Sequence, residues 1–120
     1  MISFNRRTRI FVYKNAIDMR ASYDRLFFLV KEEIKGDPFS GHLYLFVNNK
    51  RTSCKSLFFD GTGFVLLSKR LEEGRFTKFN DFLQREIELT PAEFGLFFEG
   101  SDLTKRFIES PRLIKKSICK

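Results

Sequence analysis

The residue types that support nucleophilic or metal-assisted catalysis are sparse in this chain. It contains one histidine, His42, and two cysteines, Cys54 and Cys119, so a Ser-His-Asp or Cys-His site could be assembled only around His42. His42 follows a Pro/Gly turn, where a lone histidine is more often solvated or structural. The sequence has no CxxC pair and no His/Cys cluster of the kind that holds structural zinc. We therefore predict no catalytic residue, no metal site and no cofactor.

Carboxylates are the remaining candidates for phosphoryl-transfer chemistry, because two-metal nucleases use them in pairs. Each aspartate considered has a simpler explanation as a helix cap, a helix-surface residue or a turn residue. The five are Asp18, Asp24, Asp37, Asp60 and Asp81. The Gly61-Thr62-Gly63 segment is too short for a nucleotide-binding fingerprint, and no Gly-Lys-Ser/Thr follows it. An intrinsic nuclease, which would depend on Asp18 or Asp60, is the third hypothesis, less favoured than binding to an anionic partner or docking to another protein.

Basic residues are more informative about a partner. The chain has 22 Lys and Arg against 15 Asp and Glu, a net charge of +7, which favours an anionic partner such as nucleic acid. An alternative origin is AT-rich codon usage, which also raises Phe, Ile and Asn. Residues 81–104 carry a net charge of −5, so an acidic segment separates a basic body from a basic tail. The candidate phosphate contacts are Arg6, Arg7, Arg9, Lys50, Arg51, Lys69, Arg70, Arg75 and Lys78.

Short β-rich runs separated by turn residues would carry most of these cations. A first strand is predicted over Thr8–Tyr13, followed after a helix by strands at Leu43–Val47, Cys54–Phe59 and Phe64–Ser68. Their spacing indicates an antiparallel meander. Arg75–Phe79 is a candidate additional strand. We expect the phenylalanines of these runs to lie in the core rather than to stack on bases.

Two helices are predicted around this meander. The first lies within residues 19–34, where apolar residues recur on one face; Asn15 or Asp18 could cap it and Gly36 could end it. The second begins at Thr90-Pro91-Ala92-Glu93, a capping box with proline at the first helical position. Its apolar residues Phe94, Phe97 and Phe98 precede Gly100.

These elements predict one small α+β domain over residues 1–104, with the order β-α-β-β-β-(β)-α. Residues 105–120 are predicted to form a flexible basic C-terminal tail. No apolar run approaches the ~20 residues that a membrane span needs, and no secretory signal follows Met1. Together with the low cysteine content, this leads us to expect a cytoplasmic protein.

Several motifs resemble one known family. The sequence is similar to the Orf2-like accessory proteins, called TnpB, of the insertion sequence 66 family of bacterial transposable elements, over roughly residues 8–104. The blocks around Asp37 and Lys69 are the most specific. The motifs are, in chain order, Asp18-Met19-Arg20, Asp37-Pro38-Phe39-Ser40-Gly41-His42-Leu43, Asp60-Gly61-Thr62-Gly63, Lys69-Arg70-Leu71-Glu72-Glu73-Gly74-Arg75-Phe76, Leu89-Thr90-Pro91 and Glu99-Gly100-Ser101-Asp102.

The resemblance implies a non-catalytic accessory role in transposition, with catalysis in a larger, separate transposase. The family commonly has Trp-Trp before the Asp-Gly turn, where this chain has Phe58-Phe59. The aromatic bulk is kept and the indole N–H donor is lost.

Two functional hypotheses follow. In the first, the protein binds DNA within the transposition complex through the basic residues named above. In the second, it is an adaptor that docks the catalytic transposase or self-associates without contacting DNA. The adaptor surface would then lie on the second helix at Phe94 and Phe97, or at an open sheet edge.

Overall fold

The computed structural model describes residues 7–78 and 87–100. Within them, the first helix, α1 (Tyr23–Phe28), continues directly into a π-helical segment, Leu29–Ile34. The elements, in chain order, are β1 (Ile10–Val12), α1 (Tyr23–Phe28), β2 (Leu43–Val47), β3 (Ser53–Phe59), β4 (Phe64–Arg70), β5 (Ile87–Leu89) and α2 (Pro91–Phe98). The predicted α+β class is confirmed. The predicted tail at 105–120 lies outside the described residues.

The five strands form one sheet in the order β4-β3-β2-β1-β5. The predicted meander β2-β3-β4 is antiparallel throughout. β1 pairs with β2 in parallel, with Ile10 opposite Leu43, because α1 carries the chain across one face between the two strands. β5 then pairs with β1 in the antiparallel sense. The sheet is therefore mixed, with β4 and β5 at its edges.

The fifth strand differs from the sequence prediction. Residues 75–78 do not form a strand, and Phe79 lies outside the described residues. Phe76 is instead fully buried, as part of a loop that folds back on the sheet. β5 has only three residues, Ile87–Leu89, too few for period-two alternation to be recognised in the sequence.

The two helices begin and end by different means. α1 starts after Ser22, which makes no side-chain cap, so neither Asn15 nor Asp18 caps it as predicted. Its π-helical extension ends at Lys35, which adopts a left-handed conformation with φ of 63°. The next residue is Gly36, where a Cβ atom would lie 2.6 Å from the hydroxyl oxygen of Tyr44. The tight approach explains the glycine at the helix exit.

α2 follows its predicted start closely. The Thr90 hydroxyl accepts a hydrogen bond from the Glu93 amide at 3.1 Å, and the Glu93 carboxylate accepts one from the Thr90 amide at 2.9 Å. This capping box satisfies two backbone donors that a helix start otherwise leaves unpaired. Gly100 follows the helix with φ of 87°, as expected for a residue that ends a helix.

The sheet has a hydrophobic core on each face. One core contains Leu45, Phe58, Phe76 and α2 residues, and we call it the α2 face. The other contains Leu57 together with residues of α1 and its extension, and we call it the α1 face. Alternate residues along each strand point to opposite faces, so β2 and β3 are buried on both sides. The result is a three-layer arrangement, with the sheet between two helical layers.

Candidate functional site

The topology brings three separate basic segments to one end of the sheet. The turn at 48–52 joins β2 to β3, and β4 ends beside it because Arg70 pairs with Ser53. The Leu71 amide then donates to the Thr52 carbonyl at 2.8 Å. We call this end of the molecule the hairpin end. Six of the predicted phosphate contacts lie there, namely Lys50, Arg51, Lys69, Arg70, Arg75 and Lys78.

Arg51 anchors the loop 71–78, which carries Arg75 and Lys78. Its carbonyl accepts a hydrogen bond from the Phe76 amide at 2.7 Å, and its Nη1 donates to the Phe76 carbonyl at 3.3 Å. Arg51 itself has a left-handed backbone, with φ of 59°. The loop 71–78 is therefore held against the β2–β3 turn, with Arg75 and Lys78 on either side of the anchor point.

Lys69 is also occupied within the protein. Its Nζ donates to the Phe98 carbonyl at 2.7 Å and lies 4.8 Å from the centre of the Phe98 ring. A cation at the last turn of a helix interacts favourably with the negative end of the helix dipole. Lys69 therefore caps the C-terminus of α2 and joins that helix to β4.

Four cations at the hairpin end project into solvent. Lys50, Arg70, Arg75 and Lys78 are exposed. Two exposed carboxylates, Glu72 and Glu73, lie in the same loop and reduce the local charge. Within residues 7–78 and 87–100 the ion pairs are Arg9–Glu88 and Arg20–Asp18, so neither involves these four cations.

The N-terminal cations lie at the opposite end of the sheet. Arg9 precedes β1, and its carbonyl accepts from the Leu43 amide at the start of β2. Its guanidinium forms a bidentate salt bridge with Glu88, in which Nε donates to Oε2 at 2.8 Å and Nη2 donates to Oε1 at 2.7 Å. This hydrogen bonding lowers the pKa of Glu88 and raises the pKa of Arg9. Arg7 precedes Arg9 at this end and is exposed, and Arg6 lies outside the described residues.

The residues predicted as a partner surface on α2 are buried instead. Phe97 has no exposed area and Phe94 is 7% exposed. Phe97 stacks on Phe76, with ring centres 4.9 Å apart and an interplanar angle of 16°. The expectation of a partner surface at Phe94 and Phe97 is therefore wrong. α2 turns these rings toward the sheet, where they join the core of the α2 face, because removing apolar surface from water is favourable.

The Asp37–His42 motif builds a compact turn at the Arg9 end. The Asp37 carboxylate accepts from the Phe39 amide at 2.9 Å, and the Ser40 hydroxyl accepts from the His42 amide at 3.1 Å. His42 Nδ1 accepts from the Arg9 amide at 3.0 Å. His42 thus joins the motif to the chain entering β1, which is a structural role.

Asp18 and Asp60, on which a nuclease would depend, are held by local contacts. The pKa of Asp18 is lowered to about 2, chiefly by hydrogen bonds from Arg20. The pKa of Asp60 is lowered by hydrogen bonds that its carboxylate accepts from the Thr62 and Gly63 amides within the β3–β4 turn. No group of three potential metal ligands occurs in the described part of the chain. Burial raises the pKa of the Cys54 thiol to about 12, so the thiolate is strongly disfavoured there.

An aromatic cluster near the β3–β4 turn was not predicted from the sequence. Phe39 is 55% exposed, and its ring centre lies 5.2 Å from those of both Phe59 and Phe64. Phe27 of α1 contacts Phe39 and Phe64, with ring centres 5.7 and 5.6 Å apart. We call these four residues the aromatic cluster. The only sequence signal for it was Phe39, an aromatic residue inside a turn motif.

Comparison with known proteins gives two kinds of match. The family model described as IS66 Orf2-like protein matches residues 8–107. Uncharacterized protein y4jC of Sinorhizobium fredii is 30% identical over 105 residues, which cover 88% of this chain and 89% of that protein. Uncharacterized protein y4hO of the same organism is 28% identical over 102 residues, covering 85% of this chain and 88% of that protein.

No solved structure matches the chain. No helix among the described residues is both long and apolar enough to cross a membrane. The family match spans both specific motif blocks, the turn at Asp37–His42 and the loop after Lys69, together with all the strands and helices of the described fold. The chain therefore belongs to the IS66 Orf2-like protein family, the accessory proteins of these insertion sequences.

Proposed function

We propose that this protein binds DNA through the hairpin end as a non-catalytic accessory subunit of transposition. The observation that carries the proposal is the convergence of six cations from the β2–β3 turn, the end of β4 and the loop 71–78. Lys and Arg side chains bind phosphate with little regard to sequence. A projecting hairpin can also enter a groove of the duplex.

The six cations divide into two roles. Lys50, Arg70, Arg75 and Lys78 are exposed and would make the phosphate contacts. Arg51 and Lys69 hold the loop and α2 in place through backbone carbonyls and would act as positioning residues. Arg9 is neutralised by Glu88 at the far end of the sheet, so it contributes little to this surface.

Fluorescence anisotropy tests the proposal. The full chain is titrated against a duplex carrying the end of the element and against a scrambled duplex, at several salt concentrations. Preference for the element end would identify a site-recognition subunit, whereas equal, salt-sensitive binding would identify a non-specific DNA-binding subunit. Absence of binding at low salt would overturn the proposal.

Matched charge-reversal variants locate the surface. We expect Lys50→Glu combined with Arg75→Glu to weaken binding at least tenfold. The plot of log affinity against log salt should become shallower by about 0.9 for each phosphate that the variant no longer neutralises. The control is Lys31→Glu with Arg25→Glu, an equal charge change at exposed positions of α1 and its extension. Equal weakening in both variants would show that overall charge, rather than the hairpin end, governs binding.

The aromatic cluster favours a second candidate function, docking of the separate transposase. Phe39 is more than half exposed and packs against three other rings, and exposed apolar patches often mark protein interaction sites. The readout is co-purification of the element's transposase with the wild-type chain and with Phe39→Ser. Capture of the transposase by the wild-type chain but not by Phe39→Ser would favour the adaptor, provided that the wild-type chain does not bind DNA. Capture that fails under all salt conditions would remove its support.

A further inference from the structure

Strand β4 forms one edge of the sheet. Among the described residues it pairs with β3 alone, through seven regular pairs from Ser53–Arg70 to Phe59–Phe64. It has no proline and no bulge, and of the other features that protect an edge it has only the two cations at its end, Lys69 and Arg70. Lys69 is already bound to the Phe98 carbonyl, so the first five residues of β4 have none of these protections. The opposite edge, β5, has three residues and carries Glu88, bound by Arg9. The two edges are therefore unequally protected.

The pairing with β3 shows which backbone groups of β4 remain available. The Asp60 amide donates to the Gly63 carbonyl, and the Leu71 amide donates to the Thr52 carbonyl. Hydrogen-bonded pairs recur at every second residue of an antiparallel ladder. Residues 65, 67 and 69 therefore bond to β3, and residues 64, 66, 68 and 70 direct their N–H and C=O groups outward.

The side chains of β4 are arranged asymmetrically along the strand. Its first four residues, Phe64 to Leu67, are apolar and only partly buried. Its last two, Lys69 and Arg70, are cationic. A parallel pairing of two copies would set Arg70 beside Arg70, and like charges directly opposite are destabilising. An antiparallel pairing sets the cationic end of each copy against the apolar end of the other.

We propose that β4 is a dimerisation edge, at which two copies of this chain pair in antiparallel fashion about a two-fold axis and form a continuous ten-stranded sheet. The register that overlaps all seven residues centres on Leu67. It sets Leu67 opposite Leu67, Leu66 opposite Ser68, and Phe64 opposite Arg70 of the other copy. Such an interface is self-complementary, as a two-fold dimer requires.

The proposed register places an attractive contact at each end of the interface. Phe64 and Arg70 both lie on the α1 face, because residues with the same parity along β4 share a face. Phe64 belongs to the aromatic cluster, with ring neighbours Phe59 and Phe39 at 5.2 Å. Arg70 would therefore reach an aromatic surface, and guanidinium groups bind well over aromatic rings. In the dimer, Lys50, Arg75 and Lys78 would then remain for the phosphate contacts of the hairpin end.

The proposed dimer does not depend on the proposed DNA binding, but it would determine how the two hairpin ends are arranged. The two-fold axis reverses the direction of β4, so the two hairpin ends would point to opposite ends of the joined sheet. If the hairpin end binds DNA, one dimer would hold two DNA segments.

Sedimentation of the full chain without DNA tests the dimer separately from DNA binding. We expect a particle with twice the mass of one chain. Ser68→Pro should be folded and monomeric, since it removes an outward N–H and leaves the pairs with β3 intact. Ser68→Ala is the matched control and should stay dimeric. A monomer at the highest concentration reached, including one that dimerises only with the transposase, would overturn the proposal.

Cross-linking tests the register even where Ser68→Pro does not fold. In a Cys119→Ser background, Leu67→Cys should form an intermolecular disulfide on mild oxidation, because the two Leu67 positions face each other across a non-hydrogen-bonded pair. Ser68→Cys, with Leu66 as its predicted neighbour, should cross-link at least tenfold more slowly. Faster cross-linking at Ser68, or none at Leu67 in a dimeric protein, would overturn the interface.

Discussion

Arg51 and Phe76 are joined by two hydrogen bonds although they lie 25 positions apart in the chain. The Arg51 carbonyl accepts from the Phe76 amide at 2.7 Å, and the Arg51 guanidinium donates to the Phe76 carbonyl at 3.3 Å. Phe76 is fully buried and stacked on Phe97. A residue predicted to bind phosphate thus fixes the loop that presents other cations, and anchors a core residue as well.

Arg51 holds the loop in place, whereas its neighbour Lys50 is exposed. We therefore expect substitutions at these adjacent positions to affect stability differently. Arg51→Ala should lower the free energy of unfolding by about 1–2 kcal/mol, because the Phe76 carbonyl loses a charged donor. Lys50→Ala, at an exposed position, should change it by less than about 0.5 kcal/mol. Urea denaturation followed by circular dichroism measures both. Equal costs at the two positions would contradict the anchoring role.

Phe97 is expected to be the most sensitive aromatic residue of α2. Phe97→Ala should lower the free energy of unfolding by about 3–5 kcal/mol, the usual cost of removing a buried phenyl ring. The half-exposed Phe39 should tolerate the same change at about 1 kcal/mol or less. Guanidinium denaturation compares them, with Phe97→Leu as a milder variant if Phe97→Ala does not fold. A Phe97 variant as stable as the Phe39 variant would place Phe97 at the surface after all.

The Arg9–Glu88 pair predicts a stability difference that depends on pH. The Arg9 hydrogen bonds lower the pKa of Glu88 in the folded protein from its ordinary value of 4.5. A lowered folded-state pKa means that the stabilisation is present above about pH 4.5 and is lost as the pH falls through the folded value. Glu88→Gln should therefore be less stable than wild type by about 0.5–1 kcal/mol at pH 7.

The difference between wild type and Glu88→Gln should disappear as the pH falls from 7 to below the lowered pKa of Glu88, because its carboxylate is then protonated in the folded protein as well. Thermal unfolding midpoints of the two proteins across this range provide the measurement. Asp24→Asn, which changes an exposed acidic residue outside the two ion pairs of the described chain, controls for the loss of one negative charge. A difference that stays constant with pH would argue against the ion pair as its source.

Ser56 offers a way to stabilise the protein. Its side chain is fully buried on the α2 face, opposite Leu45 and Leu67, and its Oγ has no hydrogen-bond partner in the described structure. Because an unpaired buried hydroxyl costs free energy, Ser56→Ala should raise the free energy of unfolding by about 0.5–1 kcal/mol. Ser68→Ala, at an exposed position, should have almost no effect. A destabilised Ser56→Ala, measured by urea denaturation, would mean that the hydroxyl has a partner.

Local sequence determined the elements whose signals lie within a few residues. The capping box at Thr90 and Glu93 predicted the start of α2, because both of its hydrogen bonds join residues three positions apart. The turn residues between the β2, β3 and β4 runs predicted the antiparallel meander for the same reason. The family motifs pointed to the family that matches residues 8–107.

Only the tertiary structure decided which cations lie on the same surface and which are bound within the protein. Arg9 and Lys69 looked alike in the sequence, yet Glu88 neutralises one and the Phe98 carbonyl holds the other. The position of β1 beside β2, and of β5 beside β1, depends on pairing between residues far apart in the chain. Local propensity carries no information about such pairing, because its free energy comes from shared burial and hydrogen bonds that exist only once the sheet has formed.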